Sequence, residues 1–198
     1  MASLQATLLR GVLRVLVRRQ LAESRHDLGV FVAATRRAFE LGAFAPIRPR
    51  DIRIVPVASG NVRGEWLIRN DVTVGERAML YVHGGGMVAC RPAQYRTITT
   101  ALARQIGIPV FAVDYRLAPE HPFPAALDDT LAAYDAMRAQ VPAKGIIIAG
   151  DSAGGNLALA ALLALRVRDA TPRPVAGIVA ISPWKNPTTS SSRRVIRA

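Results

Sequence analysis

Ser152 stands in Gly150-Asp151-Ser152-Ala153-Gly154, a serine with glycine two residues before it and two after. A serine hydroxyl is a weak nucleophile unless the chain bends sharply beneath it and projects it from the fold. Small residues at these two positions, Gly150 and Gly154, let neighbouring chain pass close enough for such a bend. Five residues of this kind arise by chance, so the context decides. Here an apolar run, Ile146 to Ala149, precedes the motif and a long helical stretch, Ala153 to Arg168, follows it. That is the strand–turn–helix setting in which a serine attacks an acyl carbon and forms a covalent intermediate. The following helix aims its first N–H groups and its dipole at the same point, favouring a developing negative charge. A merely structural tight turn is the alternative, and the context disfavours it.

A second stretch fits the same chemistry. His83-Gly84-Gly85-Gly86 follows the apolar run Ala78 to Val82. Attack on an ester carbonyl passes through a tetrahedral oxyanion, which needs preorganised donors. Glycines expose bare backbone N–H groups, and Gly84 and Gly85 are the expected donors, with the N–H of Ala153 as a third. Gly86, Gly150, Asp151 and Gly154 support the two turns. No lysine of the phosphate-binding loop type follows the glycines, and no G-x-G-x-x-G opens the next helix. His83 precedes the serine, so its expected role is to position the loop by hydrogen bonds. His121, among prolines, is likewise expected to be structural, and His26 has no obvious partner.

A serine of this type works with an acid and then a histidine, in that order along the chain. After Ser152 the sequence holds one acid, Asp169, and no histidine. Asp169 follows the helix that Ser152 begins, which places it far from the hydroxyl. The acid and the imidazole are therefore expected to be absent. The residual catalysis of oxyanion donors and binding is roughly 10³–10⁴-fold over water.

The elements that position these residues follow from periodicity. Leu9, Val12, Leu13, Leu16 and Val17 recur at helical spacing with arginines opposite, and Leu28 to Leu41 is similar. Ala43 to Pro49 is a connector. Ile52–Val57 and Val62–Ile68, separated by Ser59-Gly60-Asn61, predict a hairpin. Then come strand Ala78–Val82, a helix from Pro92 closed by Gly107, and strand Val110–Val113. Helix Pro124–Arg138, strand Ile146–Ala149, helix Ala153–Arg168 and strand Val175–Ile181 complete the series. Strands alternating with helices imply an α/β fold: a mostly parallel central sheet with helices on both faces. Its sites lie beyond the carboxyl ends of the strands, where both glycine-rich turns fall. The expected domains are a helical segment over residues 1–45, a core over 46–184 and an irregular basic tail over 185–198.

Composition narrows the classes. The net charge of +12 comes from 24 arginines and two lysines, scattered along the chain without an aromatic-rich RNA-binding signature, so no nucleic-acid role is expected. Arginines break the apolar segment Leu8 to Leu21, which argues against a secretory leader and against stable membrane insertion. An ordinary solvated face is the expected role of those arginines, and the cytoplasm the expected location. The one cysteine, Cys90, excludes an internal disulfide and is expected to be a buried filler.

Taken together, His83-Gly84-Gly85-Gly86, Asp114-Tyr115-Arg116-Leu117-Ala118-Pro119-Glu120-His121-Pro122-Phe123-Pro124-Ala125-Ala126, Gly150 to Gly155 and Ser182-Pro183-Trp184 resemble the hormone-sensitive-lipase-like (bacterial type IV) esterase/lipase family. The similarity covers about residues 45–184. It implies an α/β-hydrolase fold, a carboxylesterase-type serine hydrolase acting on short-chain esters, a small-molecule ester substrate and no metal or organic cofactor. It also implies that residues 1–45 form part of a cap over the acyl pocket. Met87 stands where the family has an aromatic residue. On this resemblance the chain is expected to be C-terminally truncated, to lack the last strands and to be inactive as given. The open sheet edge is expected to be covered by a homodimer or another partner. The alternative expectation is a non-catalytic, acyl-binding or regulatory relative that retains the pocket.

Overall fold

The computed structural model describes residues 28–41, 49–170 and 174–184. The chain divides into two compact units, Met1–Gly42 and Ala43–Ala198. In the first unit the expected second helix is present as α1, Leu28–Leu41. The segment Leu8 to Leu21, His26 and the tail 185–198 lie outside the described residues.

The second unit opens with a hairpin of β1, Ile52–Ser59, and β2, Val62–Arg69. The two pair without interruption from Ile52 opposite Arg69 to Ser59 opposite Val62. Both strands run further than the sequence predicts. A two-residue turn suffices, because Gly60 takes φ +56° and closes it tightly. Four strands follow, each joined to the next by a helix: β3 (Ala78–Val82), α2 (Pro92–Ile106), β4 (Val110–Val113), α3 (Ala125–Arg138), β5 (Ile146–Asp151), α4 (Ser152–Arg168) and β6 (Gly177–Ile181). Proline opens α2, where a missing N–H does no harm. Gly107, at φ 71°, ends it by donating its N–H to the Ala103 carbonyl.

The sheet order is β1-β2-β4-β3-β5-β6. The four central and distal strands are mutually parallel, and the β1–β2 hairpin is added antiparallel along β4. Period-two alternation sends side chains to two layers. Leu80, Val82, Phe111, Val113, Ile146 and Ile148 pack with Ala133, Tyr134, Met137, Leu157, Ala161 and Leu165 of α3 and α4. Met79, Tyr81, Val110, Ala112 and Ala149 pack on the opposite face with Ala103 of α2. The strands therefore bury both faces, as their near-continuous apolar sequences require.

Two further strand boundaries differ from expectation. β6 begins at Gly177 rather than Val175, and β5 continues past Ala149 to Asp151. The reason for the second is pairing: Gly150 faces Ala180 and Asp151 faces Ile181 across the β5–β6 ladder. Strand geometry is thus enforced up to the residue before the serine. β6 is the edge strand among the described residues, and its Val179 and Ile181 are about half exposed.

Candidate active site

The chain reverses its winding at β3. β4 is added on one side of it and β5 on the other, and a crevice opens at the carboxyl ends of strands at such a point. Val82, the last residue of β3, pairs with Gly150 of β5. The triple-glycine loop and the serine motif leave the sheet side by side.

Ser152 is the first residue of α4 and follows β5 with no connecting residue. It is exposed and takes φ +50°, a left-handed conformation that costs an L-residue about 1–2 kcal/mol. Close packing enforces the bend. A Cβ on Gly154 would overlap the carbonyl oxygens of Val82 and His83, and one on Gly150 would meet Gly154 O at 2.5 Å and Val82 O at 2.6 Å. Behind the bend, the Trp184 N–H donates to the Ser152 carbonyl at 2.9 Å. The Asn156 side-chain amide donates to the Trp184 carbonyl at 2.9 Å, so Ser182-Pro183-Trp184 braces the turn from below.

The glycine loop curls through three successive left-handed residues, Gly85, Gly86 and Met87. The Val88 and Ala89 N–H groups both donate to the Gly85 carbonyl. The Met87 side chain packs against the larger core, and its carbonyl accepts the Ala118 N–H at 2.9 Å. His83 is 2% exposed and stacks on Tyr115 with ring centroids 4.2 Å apart. Its Nδ1 lies 2.8 Å from the Gly84 carbonyl, which requires Nδ1 to carry the proton. Tyr115 Oη donates to the His83 carbonyl at 2.8 Å. Burial holds the His83 imidazole below its ordinary pKa. The ring is therefore buried against the loop, with burial favouring its neutral form.

The expected donor set needs one correction. The Gly84 N–H is already engaged, donating to Asp151 Oδ1 and to Tyr95 Oη, each at 3.1 Å. It faces Asp151 and Tyr95 instead of a substrate oxygen. Among the described residues, the N–H groups of Gly85 and Gly86 have no such acceptor. Ala153, buried at the first turn of α4, has an N–H that the helix itself leaves unpaired.

Two residues around this loop were not legible in the sequence. Tyr81 Oη donates to Asp151 Oδ1 and Tyr95 Oη donates to Asp151 Oδ2, both at 3.0 Å. Alternation along β3 assigns Tyr81 a face, but no local pattern names a partner 70 residues away. Burial, with the Asp151 carboxylate nearby, raises both phenols well above their ordinary pKa, so they remain donors. Asp169 lies beyond the far end of the 17-residue helix α4, about 25 Å from its start, paired with Arg168 and Arg138. His121 is exposed in the 114–124 loop. Cys90 is buried, and burial pushes its thiol up to about 12.

The chain is similar to known proteins. A family model described as alpha/beta hydrolase fold matches residues 79–198. An acetyl-hydrolase of Streptomyces hygroscopicus is 42% identical over 152 residues, covering 75% of this chain and 47% of that protein. The carboxylesterase/phospholipase LipF of Mycobacterium tuberculosis is 47% identical over 108 residues, covering 54% of this chain and 28% of its own. The crystal structure of an esterase from the bacterial hormone-sensitive lipase family superposes with a TM-score of 0.68 at 38% identity, over 77% of this chain and 51% of that one. The chain thus spans about half or less of the length of the curated relatives it matches. No helix among the described residues is long and apolar enough to cross a membrane. With a matching family model over more than half its length, the chain belongs to the α/β-hydrolase fold family, among the hormone-sensitive-lipase-like bacterial esterases.

Proposed function

We propose that Ser152 is the nucleophile of a carboxylic ester hydrolase acting on small, short-chain esters. Its Oγ attacks the carbonyl carbon, the alcohol leaves, and water releases the acid from the acyl-serine. The N–H groups of Gly85, Gly86 and Ala153 receive the oxyanion, and each such donor is worth about 2.7–4 kcal/mol in the transition state. What supports this most is the exposed, left-handed Ser152 at the junction of β5 and α4, directly beside the end of β3. The acetyl-hydrolase and carboxylesterase names of the relatives point to the same substrate class.

The 198 residues carry histidines at 26, 83 and 121 and none after Ser152. His83 is buried with its Nδ1 committed. We therefore expect these residues alone to acylate slowly and to turn over less readily still, because both steps need a base. Incubation with p-nitrophenyl acetate at raised pH tests this. The expected result is slow acetylation, mapped by mass spectrometry to the peptide containing Ser152 and lost in Ser152→Ala. Equal nitrophenol release by Ser152→Ala would overturn the nucleophile assignment, and rapid multiple turnover would overturn the absence of a base. Tight ester binding with no acetylation would favour a purely ligand-binding protein.

A further inference from the structure

The proposed oxyanion donors belong to two separate stretches of chain. Ala153 opens α4, whereas Gly85 and Gly86 follow β3. The β3–β5 ladder that aligns these stretches ends at Val82 and Gly150. Beyond that pair, no backbone hydrogen bond among the described residues joins residues 83–86 to residues 151–154. Gly154 packs directly against the Val82 and His83 carbonyls, and the hydrogen-bonded link is a side chain. Asp151 Oδ1 accepts the Gly84 N–H, and Tyr95 Oη both accepts that same N–H and donates to Asp151 Oδ2. Tyr81 Oη holds Oδ1 from the β3 side.

We infer that Asp151 is a positioning residue: its carboxylate, held by Tyr81 and Tyr95, fixes the separation between the Gly85–Gly86 donors and the Ser152–Ala153 turn. This rests on the reading of Ser152 given above. Asp151 is one residue from Ser152, and Gly84 is one residue from Gly85. A displacement at the carboxylate is therefore passed to each half of the site through a single peptide. The contact has no slack, since a Cβ on Gly84 would lie 2.5 Å from Asp151 Oδ2 and 2.8 Å from Tyr95 Oη. A carboxylate beside a developing oxyanion would oppose it. Here the carboxylate faces two hydroxyls and an amide, so its contribution is geometric. Among the described residues, no imidazole is hydrogen-bonded to this carboxylate.

Misplacing a catalytic group by an ångström can cost about a hundredfold in rate, and loosening the donor loop without removing its amides costs less. The test uses the full 198-residue chain and two ligands. Butylboronic acid forms a tetrahedral, anionic adduct on a serine oxygen, and ethyl butyrate reports neutral ester binding. In Asp151→Asn, affinity for the boronic acid is expected to fall about tenfold while ester affinity is unchanged. Tyr95→Phe is expected to show a smaller loss of the same kind, and it carries the test if Asp151→Asn does not fold. Unchanged boronic acid affinity in these variants, or equal loss of both ligands, would overturn the inference. If Ser152→Ala binds the boronic acid as tightly as the wild type, the nucleophile reading fails instead. The Gly84 amide proton then decides the clamp by itself. It is expected to shift upfield in Asp151→Asn, and an unmoved resonance would overturn it.

Discussion

Val82 and Gly150 face each other as the last pair of the parallel ladder between β3 and β5. The site follows from that one pairing. β3 delivers the triple-glycine loop and β5 delivers a serine at the same rim of the sheet, though the two segments are far apart in sequence.

The pairing leaves no space between the β3 exit and the first turn of α4. Gly154→Ala places a methyl group onto the carbonyl oxygens of Val82 and His83, and backbone atoms cannot swing aside. We expect destabilisation of about 3 kcal/mol, read as a lower urea midpoint. Gly177→Ala on the edge strand meets nothing within 4 Å and is expected to change stability by less than about 0.5 kcal/mol. Similar midpoints for the two variants would contradict the packing described.

Asp51 gives a pH dependence with a definite sign. Hydrogen bonding from Arg104 lowers its pKa from 3.8 to about 2. A group whose folded pKa is depressed contributes stability above its unfolded value. That contribution is lost as pH falls through the folded one. The Arg104–Asp51 pair thus helps fully above about pH 4 and fades toward pH 2. Carbon-13 titration is expected to place the Asp51 carboxyl near about 2 in the wild type and back toward 3.8 in Arg104→Ala. A wild-type value already near 3.8 would show that the pair does not form in solution.

Cys90 is expected to be inert in the folded protein. Raising a thiol from 9.0 to about 12 lowers its thiolate fraction about a thousandfold, and the residue is also 5% exposed. Ellman's reagent at pH 8 should label it only after denaturation. Rapid labelling of the native chain would mean that the glycine loop opens readily.

Much of this architecture is written locally in the chain. The apolar runs at 78–82, 110–113 and 146–149 are strands because each buries both faces, and Pro92 and Gly107 mark a helix by their own backbone requirements. The bend at Ser152 is legible because it needs small residues at Gly150 and Gly154, where a Cβ would meet backbone atoms of the neighbouring chain. Which of the three glycine amides already has an acceptor is not legible. Gly84, Gly85 and Gly86 are identical in sequence, and only the distant hydroxyl of Tyr95 and the Asp151 carboxylate show that the first is occupied. The end of β5 is likewise set by pairing with β6, a non-local contact.

The central claim is that the Ser152 hydroxyl and the amides of Gly85, Gly86 and Ala153 converge on one point. The most direct measurement is a set of proton–nitrogen correlation spectra recorded as butylboronic acid is added to the wild type and to Ser152→Ala. Large shifts are expected at Gly85, Gly86 and Ala153 and a small one at Gly84, in the wild type alone. Shifts centred on Gly84, or the same shifts in Ser152→Ala, would contradict it.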